Sequence, residues 1–135
     1  MLKKIHHVGI VVPNLDQAML FWRELLGLSL LKSAVVQDQG VKAALLSAGG
    51  TEIELLEPIA AESGVSRFLA RRGGGLHHIC FETDNIVAEL DRARTKGLQL
   101  IDQQPRPGLA GMICFLHPKA TRGVLVEYAQ PREER

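Results

Sequence analysis

The feature that most constrains this chain is a near-repetition of itself. Ile5-His6-His7-Val8-Gly9-Ile10 lies over Leu76-His77-His78-Ile79-Cys80-Phe81 at constant offset, and the match carries on to Asn14-Leu15 over Asn85-Ile86. The period is far too long for a solenoid, so the repeat is a duplicated module rather than a stacked array. Both copies open as a strand, reach an Asn that starts a helical pattern, and meet a Gly before the next strand. In the first copy Leu15, Ala18, Met19, Trp22, Leu25 and Leu26 recur at helical spacing, with Asn14 as N-cap, Gln17 at the capping-box position and Gly27 at the end. In the second, Ile86, Leu90 and Ala93 do the same and Gly97 closes the helix.

Three strands are predicted after each helix, at about residues 28–36, 41–47 and 51–57, then about 98–103, 111–117 and 122–129. The unit is therefore βαβββ, twice. Module one covers about residues 4–57 and module two about 76–130, inside a single domain of 1–135. The connector, 58–75, holds a short helical stretch around Val65 to Arg72 and the Gly73-Gly74-Gly75 run. A helix covers only one face of its module's sheet, so the other face needs a partner. The expectation is an α+β fold in which the paired modules form a curved, barrel-like mixed sheet, helices outside, around a central cavity.

Strand side chains alternate faces. His6, Val8, Ile10 and Val12 make the helix-packing face of the first strand, which turns Ile5, His7, Gly9 and Val11 inward. By the same parity His77, Ile79 and Phe81 oppose His78, Cys80 and Glu82. In the last strands, Ile53 and Leu55 oppose Glu52 and Glu54, while Val124, Val126 and Tyr128 oppose Leu125 and Glu127. An acid thus stands among apolar neighbours in both copies, where a carboxylate requires a cation or a hydrogen-bonding partner. One inward His or Glu alone would be read as structural. Two repeated positions, each carrying a ligand-capable group, point to a divalent metal held by His7, Glu54, His78 and Glu127.

The remaining candidates have plainer roles. His6 and His77 cover the outer side of their strands, with His77 also able to support a ligand. His117, ahead of Pro118, is a turn residue. Arg67, Arg71 and Arg72 form a solvated helical face, and the tail Arg132 to Arg135 is solubilising. Sixteen Lys and Arg against fifteen Asp and Glu leave no field for nucleic acid or an anionic membrane. No apolar run reaches membrane-spanning length, the opening MLKKIHHV leaves no room for a secretory signal, and Cys80 and Cys114 sit in apolar runs as reduced thiols. The expectation is a cytoplasmic protein.

The His-Val-Gly-Ile and His-His-Ile runs, Leu55-Leu56-Glu57-Pro58, Phe115-Leu116-His117-Pro118-Lys119 and Gly123-Val124-Leu125-Val126-Glu127 together resemble the methylmalonyl-CoA epimerases. That family lies within the vicinal oxygen chelate superfamily, alongside glyoxalase I, extradiol dioxygenases and antibiotic-resistance proteins. The resemblance runs from about Ile5 to Gln130 and places the family's metal ligands on the same four residues. It implies a metal-dependent epimerase that inverts C2 of methylmalonyl-CoA by removing and returning a proton. The metal would be Co, Mn, Ni or Zn, since mixed imidazole and carboxylate ligands do not choose among them. It also implies an acyl-CoA substrate and a homodimer. Glu127 is expected to serve one face of the substrate. Some relatives carry a catalytic glutamate just after the Gln-Gly-Val turn, where this chain has Ala43, so the spare carboxylate Glu52 is nominated for the other face. Rival readings are a glyoxalase I-like lyase acting on a hemithioacetal and a metal-free binding or resistance protein on the same fold.

Overall fold

The computed structural model describes residues 1–132. The chain forms two compact units, His7–His77 and Met1–His6 together with the chain from His78 onward.

In the first unit, β1 (Leu2–Val11, which begins in the other unit) is followed by a helix, α1 (Leu15–Met19), that continues as a π-helix over Leu20–Leu25. Then come β2 (Ser29–Val36), β3 (Val41–Ser47), β4 (Glu52–Pro58) and α2 (Gly64–Arg72). The strand order is β2-β3-β4-β1, with β1 parallel to β4 and β3 antiparallel to both its neighbours. The helix side is packed by Ile10, Val12, Leu15, Ala44, Leu46 and Leu55, joined by Val8, Ala18, Met19 and Trp22. Val11, Val41, Ala43, Leu45 and Leu56, of opposite parity, are buried as well.

The α1 N-terminus is tied down twice. The Asn14 side chain accepts from the Gln17 amide at 2.9 Å, and the Glu57 carboxylate, from the end of β4, accepts from the Leu15 amide at 2.7 Å. Two of the otherwise unsatisfied first-turn donors are thereby satisfied. At the far end the helix departs from its sequence pattern. The Leu26 amide reaches back five residues to the Phe21 carbonyl, and the wider turn carries the last side chains off the apolar stripe. Leu25 and Leu26, expected on the buried face, are 79% and 51% exposed.

The second unit contains most of β5 (Gly75–Thr83), then α3 (Ile86–Thr95), β6 (Arg106–Gly108), β7 (Gly111–Leu116) and β8 (Leu125–Gln130). Its order, β5-β8-β7-β6, with β5 parallel to β8 and β7 antiparallel to both neighbours, repeats the first unit element for element. The α3 cap repeats too: Asn85 accepts from the Ala88 amide at 3.1 Å, and Gln130, at the end of β8, accepts from the Ile86 amide at 3.0 Å. Ile86, Leu90 and Ala93 pack on Cys114, Leu116 and Tyr128 on the helix side, while Cys80, Ala110, Ile113, Phe115 and Ala129 pack on the other. The two βαβββ modules read from the repeat are both present.

Two strand assignments need correction. No strand forms at residues 98–103, where only Leu100 bridges Leu116; the paired segment is the three-residue β6, which lies beyond Pro105. The Asp102 carboxylate accepts from the Phe115 amide at 2.8 Å, taking a bond that a ladder would have used. The last strand starts at Leu125 rather than 122, because Arg122 and Gly123 turn through φ of 64° and 105°. In the connector, the expected helix is present with Ser63 and Ser66 forming a reciprocal capping box. Gly74 is required where it stands: at φ 107° an added Cβ would lie 2.8 Å from the Val11 carbonyl oxygen. The tail assignment falls on Arg132, which is exposed, and on residues 133–135, which lie outside the described residues.

Candidate metal-binding residues and the family of the chain

Each unit holds one buried imidazole–carboxylate pair. In the first, β1 and β4 run parallel with His7 opposite Glu52 and Gly9 opposite Glu54, so both acids stand on the His7 face. His7 is 0% exposed and Glu54 7%, and His7 Nε2 lies 3.5 Å from Glu54 Oε1. Val8, Ile10, Ile53 and Leu55 take the opposite face, against α1. In the second unit Cys80 stands opposite Glu127. His78 and Glu127 are each 4% exposed, with Nε2 and Oε1 3.1 Å apart. Phe115, directly across the ladder from Glu127, meets the His78 ring edge to face at 5.7 Å between centroids.

The donor chemistry fits a divalent cation. Ligand bonds of about 2.0–2.2 Å set neighbouring donor atoms roughly 3.0–3.5 Å apart around one ion, and both pairs have that separation. Imidazole nitrogen with carboxylate oxygen is also a donor set suited to first-row divalent metals. Both carboxylates are buried, at 7% and 4% exposure, so each needs positive charge or hydrogen bonding where it lies.

The other sequence candidates fall as follows. Glu52 is half-buried at the start of β4, on the face of Glu54 and paired across the ladders with His7 and Ser47. Ala43 is 0% exposed and opposite Leu56, on that same face, and supplies no proton-transfer group. His77 packs edge to face on Phe68 at 4.9 Å. His117 is the turn residue expected, its Nδ1 accepting from the Lys119 amide at 3.1 Å. Arg67 donates to the Glu62 carbonyl at 3.1 Å, and the Arg72 guanidinium lies 5.7 Å from the Phe68 ring centroid. Cys80 and Cys114 are buried thiols outside any disulfide. Burial, with Asp102 and Glu127 adding negative charge, pushes the Cys114 thiol up to about 12.

One constellation escaped the sequence reading. Arg106 Nε donates to Asp102 Oδ1 at 3.0 Å, and its guanidinium lies 5.7 Å from the Phe115 ring centroid. The only cue in the sequence was an acid four residues before an arginine, and that cue was hidden by assigning Asp102 to a strand.

Residues 6–115 match the Glyoxalase/Bleomycin resistance protein/Dioxygenase superfamily. The chain belongs to that superfamily, as the repeated βαβββ module suggests. Within it, the chain is 36% identical over 131 residues to the mitochondrial methylmalonyl-CoA epimerase of Homo sapiens, covering 96% of this chain and 74% of the human one. It is also 36% identical to the ethylmalonyl-CoA/methylmalonyl-CoA epimerase of Cereibacter sphaeroides, covering 96% of this chain and 99% of that one. Among solved structures, a variant of Streptomyces coelicolor methylmalonyl-CoA epimerase in complex with 2-nitronate-propionyl-CoA is 36% identical, with a TM-score of 0.93 over 98% of this chain and 100% of its own.

Proposed function

We propose that this chain is a methylmalonyl-CoA epimerase, a single-domain metalloenzyme whose two modules bring His7, Glu54, His78 and Glu127 around one divalent cation. The observation that carries the reading is the duplicated, buried imidazole–carboxylate pair, one in each unit, in a chain whose relatives at about this identity bear the epimerase name. The reaction inverts a carbon flanked by a thioester and a carboxylate. When bound, the cation supplies Lewis acidity that lowers the cost of the negative charge developing next to that carbon.

The chain's own groups have the following tasks. His7 and His78 supply the imidazole donors, kept in place by strand positions that leave them 0% and 4% exposed. Glu54 balances the cation's charge. Glu127 takes or returns the C2 proton on one face, and Glu52 does so on the other, in place of the group that Ala43 lacks. The protein works as a homodimer in the cytoplasm and uses Co, Mn, Ni or Zn.

The test is metal analysis of the purified protein followed by deuterium exchange at C2 of methylmalonyl-CoA. Wild-type protein should hold stoichiometric metal and exchange the proton. His78→Ala and Glu127→Ala should lose both metal and exchange, whereas Glu52→Gln should retain metal and lose at least about 100-fold in turnover, the usual contribution of a positioned acid or base. Unchanged turnover in Glu52→Gln would remove Glu52 from the reaction. Metal without exchange, accompanied by isomerisation of a glutathione hemithioacetal, would replace the epimerase reading with a glyoxalase one.

A further inference from the structure

Arg106 stands on the same sheet face as the His78 and Glu127 pair. Arg106 is opposite Ile113, Ile113 and Phe115 alternate onto one face of β7, and Phe115 is opposite Glu127. Asp102 and Phe115 hold the guanidinium. Asp102 Oδ1 accepts from Nε at 3.0 Å, Asp102 Oδ2 is itself anchored by the Phe115 amide at 2.8 Å, and the Phe115 ring lies under the cation. The same ring abuts the His78 imidazole. An arginine held at one edge by a carboxylate and along its plane by an aromatic ring has lost most of its rotamer freedom, so that cost is already met before a ligand arrives. Its side chain remains 29% exposed, so a ligand can reach it.

We propose that Arg106, oriented by Asp102 and Phe115, receives the free carboxylate of the acyl group and thereby selects malonyl-type thioesters over simple acyl thioesters. The inference rests on the epimerase reading above and gives it a specificity determinant. A guanidinium presents five N–H donors in a planar fork matched to a carboxylate. In a malonyl thioester the carboxylate is one bond from the reacting carbon, so a cation beside the His78 and Glu127 pair meets it without reaching for the distant phosphates of the coenzyme. The Asp102 contact at Nε sets the direction of the fork.

Calorimetric titration of the metal-loaded protein with methylmalonyl-CoA and with propionyl-CoA tests this, because the two share every coenzyme phosphate and differ in the carboxylate. Wild type should bind methylmalonyl-CoA roughly 10–100-fold more tightly, the range for a charge-assisted pair. In Arg106→Gln that ratio should fall to within about two-fold, with propionyl-CoA affinity and metal content unchanged and the loss in exchange appearing mainly in KM. Arg106→Lys, which keeps the charge without the fork, should retain only part of the preference, and it serves as the readout should the Gln variant fail to fold. Equal weakening of both thioesters would assign Arg106 to the phosphates or to structure alone and overturn the proposal, as would an intact preference in either variant. A wild-type protein with no C2 exchange would instead sink the epimerase reading itself.

Discussion

Cys114 illustrates how a residue's surroundings set its chemistry. The thiol is packed among Ile86, Leu90, Ala93 and Tyr128 on the helix side of the second module, and Asp102 and Glu127 add negative charge nearby. The thiolate is therefore disfavoured, and the pKa rises from 9.0 to about 12. For an acid whose folded value is raised, the stabilisation is fully present below the unfolded value and is lost as pH rises through the folded one. The window is thus about 9 to 12, and the interval corresponds to roughly 4 kcal/mol at its upper limit. Thermal melts of wild type should fall across that window more steeply than those of Cys114→Ala, which starts lower by a few kcal/mol from its cavity. Parallel pH profiles for the two proteins would show that the thiol plays no part. Tyr128, raised by burial, by the Glu89 carboxylate and by Cys114, acts in the same direction, and the part due to Cys114 is lost with the thiol.

At the scale of elements, the strand that carries each acid is also the strand that caps a helix. Glu57 lies three residues beyond Glu54 and accepts from the first amide of α1; Gln130 lies three residues beyond Glu127 and accepts from the first amide of α3. Each module thereby locks its acid-bearing strand to its helix. Glu57→Ala or Gln130→Ala leaves a helix-start donor unsatisfied and should cost about 1–2 kcal/mol. For a domain of this size that is a fall in melting temperature of roughly 4 °C per kcal/mol. A melting temperature unchanged within a degree in both variants would rule out the lock. The repeat revealed the helices and their Asn caps, because capping is local. It did not reveal Glu57 and Gln130, whose partners are 42 and 44 residues away. Nor did it reveal that the Asp102 side chain would take the Phe115 amide, leaving residues 98–103 with a single bridge to β7.

At the scale of the whole molecule, the proposed metal centre would make the fold responsive to a cation. A ligand that binds only the native state at a hundred times its Kd stabilises by roughly 2.7 kcal/mol. Melting should rise with added Co, Mn, Ni or Zn and fall with a chelator, and Glu127→Ala should respond to neither. A wild-type melting temperature indifferent to both would remove the shared metal centre. Among the described residues no helix is long and apolar enough to cross a membrane. By itself the sequence determined the duplicated module, the helix starts and the face on which each histidine and glutamate stands, since alternation and capping depend on near neighbours alone. Tertiary structure decided which strand lies beside which, the 3.1 and 3.5 Å approaches within the two pairs, and the Arg106, Asp102 and Phe115 arrangement. Those depend on backbone hydrogen bonds between segments far apart in the chain, for which local pattern carries no record.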